Sequence, residues 1–176
     1  WARKCVQHPR RHSTWGGERR RRCRGVACLP SPNLETAMLI RLIYASEVTL
    51  ALTPSSVQQI VETARPANQR RHITGMLAFD SRSFLQVLEG DREVVSDAFC
   101  KIARDTRHHR VQLLESVAVD ERQFSMWSMG FAAADEHGRE TFLRHSSDDH
   151  FAPLNLSARG ALGLLSVLAS QGSARQ

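Results

Sequence analysis

The chain has 176 residues, enough for one domain with a sizeable core and an appendage, and too few for two sizeable domains. Its formal charge of +6 would ordinarily point to nucleic acid or an anionic surface, but nine of the 24 Lys and Arg precede residue 38, against two of the 18 Asp and Glu. The remainder carries 15 basic and 16 acidic residues, so its near neutrality excludes an electrostatic case for nucleic-acid binding by the folded part.

Residues 1–37 hold the basic excess together with Trp1, Trp15, Cys5, Cys23 and Cys28, and show no apolar periodicity. Such a segment buries too little surface to offset its ordering entropy, and a disordered extension is expected. It lacks the apolar run of a secretory signal and the amphipathic helix of a transit peptide. Met38 stands directly before the first strand-like run, which suggests a natural start there. The cysteine spacing contains no C-x₂-C pair, so a tail is favoured over a zinc site. Beyond it Cys100 is the only thiol, which excludes a disulfide framework and makes a reducing cytoplasm the expected compartment. No stretch of 18 apolar residues exists, so no membrane span is expected.

The run 39–45 is apolar and β-compatible, as for a central strand. Thr53-Pro54-Ser55-Ser56 provides an N-cap with proline at the first helical position, and Val57, Ile60, Val61 and Ala64 share one face of a helix to about Arg65, where Pro66 is expected to stop it. Strands over about 72–79 and 83–89 follow, joined by Asp80-Ser81-Arg82 at hairpin length. A second helix, from Gly90-Asp91 to about Thr106, has Val94, Val95, Ala98, Phe99 and Ile102 as its stripe. Two more strands are expected over 111–119 and 125–132. The order β-α-β-β-α-β-β predicts an α+β fold: a ferredoxin-like sheet with a fifth strand and both helices on one face. The domain boundaries are expected at 38–133 and, for a C-terminal helical segment, 134–176. Within the latter, 135–147 is polar apart from Phe142 and Leu143, whereas 157–170 carries Ala161, Leu162, Leu164, Leu165, Val167 and Leu168 and needs a surface to cover.

Four polar or aromatic positions stand out against these elements. Tyr44, the only tyrosine, ends the run Leu39-Ile40-Arg41-Leu42-Ile43-Tyr44, and Asn68 follows 24 residues later, before Ile73-Thr74-Gly75-Met76-Leu77. Gln86 comes 18 residues after that, in Ser83-Phe84-Leu85-Gln86-Val87-Leu88-Glu89-Gly90, and Trp127-Ser128-Met129 completes the series. Alternation puts Phe84, Gln86 and Leu88 on one face, so Gln86 is an amide on an apolar, helix-covered surface that must find partners. Alone, Gln86 reads as a core amide satisfied by backbone, Tyr44 as a core tyrosine, Asn68 as a turn residue after Pro66, and Trp127 with Met129 as ordinary core on the last strand.

Taken together these segments resemble the BLUF family of blue-light sensors that use FAD, from about Leu39 to about Phe131. The resemblance implies FAD as cofactor, with Ile60 and Ile102 as walls for the flavin ring and Asn68 and Gln86 as amides for its polar edge. It makes Tyr44 the electron and proton donor and Gln86 the amide whose bonding is rearranged by light, a role suited to a group carrying both donor and acceptor. Lys101 and Asp105 match positions near the ribityl-phosphate chain; alone they read as an i, i+4 surface pair. Ala67 stands where some members carry a second polar residue, which removes one cofactor contact. By the same resemblance, Trp127 and Met129 match the pair expected to report the flavin's state. The C-terminal helices are then expected on the open face of the sheet or across a dimer interface, with the signal passing to a separate effector protein and the chain forming a homo-oligomer.

Beyond residue 37 no Gly-rich phosphate loop, H-x-x-x-H, nucleophile elbow or hydrolytic carboxylate pair is present, so a sensor without enzymatic activity or metal is expected. Arg104 to Arg110 reads as a solvated helix end, and Glu89 and Asp91 as turn residues. The alternative is a ferredoxin-like ligand-binding or protein-interaction module without photochemistry. An acylphosphatase-like enzyme of the same topology would need an Arg-bearing loop after the first strand, which Ala45-Ser46-Glu47-Val48 does not offer.

Overall fold

The apolar runs assemble into one five-stranded sheet covered on both faces. The computed structural model describes residues 37–49, 52–133, 139–145 and 151–173. The extension expected to be disordered lies outside these, except for Ala37. In chain order the elements are β1 (Leu39–Val48), α1 (Pro54–Arg70), β2 (Thr74–Phe79), β3 (Ser83–Asp91), α2 (Arg92–Ala103), β4 (His108–Ala118), β5 (Gly130–Ala133), α3 (Arg139–Leu143), a 3-10 turn (Pro153–Asn155) and α4 (Ala158–Ser173). The sheet runs β4-β1-β3-β2-β5. β3 is antiparallel to both β1 and β2, and only the β2–β5 pair is parallel. This is the expected ferredoxin-like topology with an added fifth strand.

Several boundaries differ from expectation for local reasons. Thr53 caps α1 through a reciprocal pair, its Oγ1 accepting from the Ser56 amide at 3.2 Å and the Ser56 hydroxyl from the Thr53 amide at 3.0 Å. The helix then passes through Pro66 to Arg70 instead of stopping. Pro66 and Glu62, whose carbonyl loses its partner, are both exposed, so water can replace the missing donor. Asn68 is consequently a helical residue and not a turn. Asp80 shapes the β2–β3 turn, accepting at Oδ1 from the amides of Arg82 and Ser83, while Ser81 takes φ 74°. Glu89 and Asp91 belong to β3; Asp91 caps α2 by accepting from the Glu93 and Val94 amides. Asp105 lies beyond the end of α2. β5 starts only at Gly130, so Trp127 and Met129 belong to the approach to the strand.

The two faces carry separate cores. Under α1 and α2 lie Leu42, Tyr44, Val57, Val61, Leu77, Phe79, Phe84, Leu88 and Val95. The opposite face packs Ile43, Ala45, Met76, Leu85 and Val87 against Phe124, Phe142, Phe151 and, from α4, Ala161, Leu164, Leu165 and Leu168. Of the six apolar residues expected to cover a surface, these four are buried, Leu162 is half-buried and Val167 is exposed. The face offered to the alternatives of cap or subunit interface is covered by the chain's own α4. No helix among the described residues is long and apolar enough to cross a membrane.

Each of the α4 leucines contributes roughly 1.5–3 kcal/mol by burial. Leu165→Ala should therefore lower unfolding free energy by about 2–5 kcal/mol in chemical denaturation, since it removes a side chain with no exposed surface. The lost packing lies on the far side of the sheet from Tyr44, so the α1–α2 face should keep its binding properties in a folded Leu165→Ala protein.

Candidate functional site

A cavity of about 250 Å³ opens between α1, α2 and the sheet. Its walls are mostly aliphatic, with Ile60 from α1 and Ile102 from α2 facing each other over Leu77, Leu88 and Met129. Tyr44, Asn68, Gln86, Lys101 and Asp105 line it too, so all seven residues expected around a cofactor converge there. Trp127 is half-buried outside this lining.

The floor is set by strand register. β1 and β3 place Tyr44 directly opposite Gln86, with Leu77 of β2 on the other side. The Tyr44 hydroxyl donates to Gln86 Oε1 at 2.5 Å, and Gln86 Nε2 donates to the Met129 sulphur at 3.1 Å. Burial holds the Tyr44 hydroxyl far above its ordinary pKa, with the Asp105 charge adding to the effect, so it stays a neutral donor. The Met129 thioether can only accept, which favours this amide orientation: oxygen toward Tyr44, nitrogen toward Met129. Phe99 of α2 packs on the phenol with ring centroids 5.4 Å apart.

The segment before β5 is held from the helix side as well. Asn68 Nδ2 donates to the Ser128 carbonyl at 3.1 Å and Arg65 Nε to the Met129 carbonyl at 2.9 Å. Gly75 donates its amide to the Trp127 carbonyl at 3.0 Å. Any side chain at Gly75 would run into β3, since a Cβ there would lie 2.0 Å from the Val87 carbonyl oxygen.

Three polar lining residues, Arg71, Arg107 and His108, were missed in the sequence. Asp105 pairs with Arg107, at 2.9 Å from Nε and 2.5 Å from Nη2, and not with Lys101. This pairing holds the Asp105 carboxyl at about 2, below its usual range. His108 begins β4 instead of lying in a solvated helix end; its Nδ1 is 2.9 Å from the buried Ser46 hydroxyl, and its ring packs at a tilt of 39° against Phe84 with centroids 4.7 Å apart. An irregularity in the β1–β4 pairing beside Arg110, which takes φ 49°, breaks the alternation and leaves His108 on the cavity side. No periodicity in the sequence could have revealed that turn.

Burial keeps the His108 pKa below its ordinary value of 6.5, Arg107 adding to this and Asp105 opposing it. The unfolded chain therefore takes up this proton first as pH falls, so stability should decline from about pH 6.5 downward and level off once the folded imidazole is also charged. His108→Gln should remove that part of the slope in thermal melts at a series of pH values from neutral to about 5.

Comparison with known proteins agrees with this arrangement. A family model described as BLUF, sensors of blue light using FAD, matches residues 39–130. The blue light- and temperature-regulated antirepressor BluF of Escherichia coli (strain K12) is 29% identical over 107 residues, covering 61% of this chain and 27% of that protein. The photoactivated adenylate cyclase subunit beta of Euglena longa is 27% identical over 114 residues, 62% of this chain but only 13% of its own length. The chain thus spans a minor part of these curated relatives. Among solved structures, BlsA in its photo-activated state superposes with a TM-score of 0.66 at 31% identity, covering 75% of this chain and 95% of BlsA. The dark state of BlrB, a BLUF protein, gives 0.62 at 28% identity, covering 77% and 98%. With the family model covering more than half of the chain, and the Tyr44–Gln86 pair set in its pocket, the protein belongs to the BLUF family of blue-light sensors using FAD.

Proposed function

We propose that the cavity between α1 and α2 holds the flavin ring of FAD and that Tyr44 and Gln86 are its photoactive residues. The observation that carries this reading is the buried hydrogen-bond chain Tyr44–Gln86–Met129 on the cavity floor. The residues fit the group: the walls are aliphatic, and the Gln86 amide has a thioether, a weak acceptor, as its acceptor, so a flavin carbonyl would be a better one. Asn68 supplies a second amide at the rim, while Lys101, Asp105 and Arg107 offer charges for the polar chain that leaves the ring. When bound, FAD absorbs blue light and accepts an electron from a neighbouring donor.

The chain's own part follows from its donors and acceptors. Tyr44 is the only phenol in the protein, and its loss of an electron makes its proton acidic, with Gln86 Oε1 positioned to receive it. If Tyr44 regains its electron, Gln86 Oε1 returns the proton and the amide then settles rotated by half a turn, nitrogen faces Tyr44 and oxygen faces the Met129 sulphur. Two acceptors now oppose each other, so Met129 loses its bond and the segment from Trp127 to Met129 is biased toward a second position. Signalling through Trp127, Met129 and the C-terminal helices is part of this proposal.

Output is proposed to be contact with a separate effector protein, in a sensor with no catalysis of its own. The relatives named as adenylate cyclase subunits and as an antirepressor support a sensor coupled to diverse outputs. The near neutrality of residues 38–176 favours a protein partner over nucleic acid. Self-association through the outer side of α4, where Val167 stays exposed, belongs to the same proposal and is measured by light scattering in dark and light.

Tyr44→Phe should bind FAD but lose the light-induced red shift of the flavin spectrum, because the ring still packs while the hydroxyl is gone. Gln86→Leu should do the same for want of an amide. Colourless wild-type protein after supplementation with FAD, or an intact shift in both variants, would refute the assignment.

A further inference from the structure

Residues 122–129 form a strap with one end on each face of the sheet. At its far end Met129 touches Gln86 on the cavity face. At its near end Phe124 is buried in the core under α4, and Gln123 Nε2 donates to Ser166 Oγ of α4 at 2.7 Å. The strap is anchored by Glu89, whose side chain has no exposed surface. Its carboxylate accepts from the Gln123 amide at Oε1, 3.2 Å, and from the Phe124 amide at Oε2, 2.9 Å. The Glu89 carbonyl accepts from Arg122 Nη1 at 2.6 Å, and the same nitrogen reaches Thr74 Oγ1 at 2.9 Å.

A carboxylate buried in this way is costly unless its hydrogen bonds are made, and it binds two successive amides with one rigid fork. Glutamine cannot reproduce this, because its amide nitrogen would meet a second N–H. The Glu89 carboxylate therefore ties the Gln123–Phe124 end of the strap to β3.

We propose that Glu89 is a positioning residue that converts a change at Gln86 into a displacement at α4, through Phe124 and the Gln123–Ser166 bond. The inference rests on the proposed photochemistry of Tyr44 and Gln86. Spatial continuity alone does not establish coupling, so the test measures the response at α4 directly. Hydrogen exchange of α4 is followed by mass spectrometry in the full chain loaded with FAD, in darkness and under blue light, alongside the flavin spectrum and its dark recovery. Wild-type protein should show a light-dependent change in α4 exchange. Glu89→Gln should retain flavin and red shift, lose at least two thirds of that change, and alter the dark-recovery rate at least twofold. Gln123→Ala, an exposed site that leaves the core intact, should at least halve the α4 change with spectrum and flavin content unaltered, and it keeps the test decisive if Glu89→Gln does not fold.

A purely structural role for Glu89 would raise α4 exchange equally in dark and light and leave the recovery rate alone, which would overturn the proposal. So would a full α4 response in Gln123→Ala, or a wild-type chain that shifts its spectrum with α4 unchanged. A wild-type chain that binds FAD but shows no spectral shift would instead remove the photochemistry on which the inference stands.

Discussion

The direct opposition of Tyr44 and Gln86 across β1 and β3 governs the rest of the site. Both side chains project into an apolar layer, and each is the other's main means of satisfying a buried polar group. A slip of one residue in this pairing would send Gln86 to the α4 face and leave the phenol unpartnered. The register is pinned by the apolar residues around it: Leu42 opposite Leu88 on one face, Ile43 opposite Val87 on the other. Packing that looks generic thus fixes a bond of 2.5 Å.

Because one sheet separates two cores, the chain keeps the Tyr44–Gln86 cavity and the α4 cap apart by the thickness of a single layer. The segment before β5 passes between them. Its carbonyls are taken by Asn68, Arg65 and Gly75, and two of its amides by Glu89. These bonds come from three different elements, α1, β2 and β3, so no single element's rigidity determines where Met129 sits. A rearranged Gln86 would work against a distributed set of modest bonds, each worth about 1 kcal/mol net, and not against the hydrophobic core.

The elements and most of the site were legible because their causes are local. Strand and helix periods, the Thr53 cap and the Asp80 turn are written in adjacent residues, and the spacing of Tyr44, Asn68 and Gln86 carried the family. What was misread depends on context that spacing does not contain. Pro66 is accommodated in α1 where Glu62, whose carbonyl it frees, is exposed to water. Glu89 looks like a turn residue beside Gly90, yet it is buried by a segment more than thirty positions later. His108 and Arg107 were hidden by a break in alternation, and Asp105 was assigned to a helix that ends before it.

The outer strands also constrain how the molecule meets others. β4 is long and lies at the edge, with Leu113 and Val117 exposed, a combination that ordinarily templates another strand. Its ladder with β1 is broken at two places, and the Arg41–Glu115 and Arg110–Glu47 ion pairs cross it. At the opposite edge β5 offers only four residues. An incoming chain finds an irregular rail on one side and too short a rail on the other, so growth of the sheet by strand addition is discouraged at both of its described borders, and contact is directed to the helical faces.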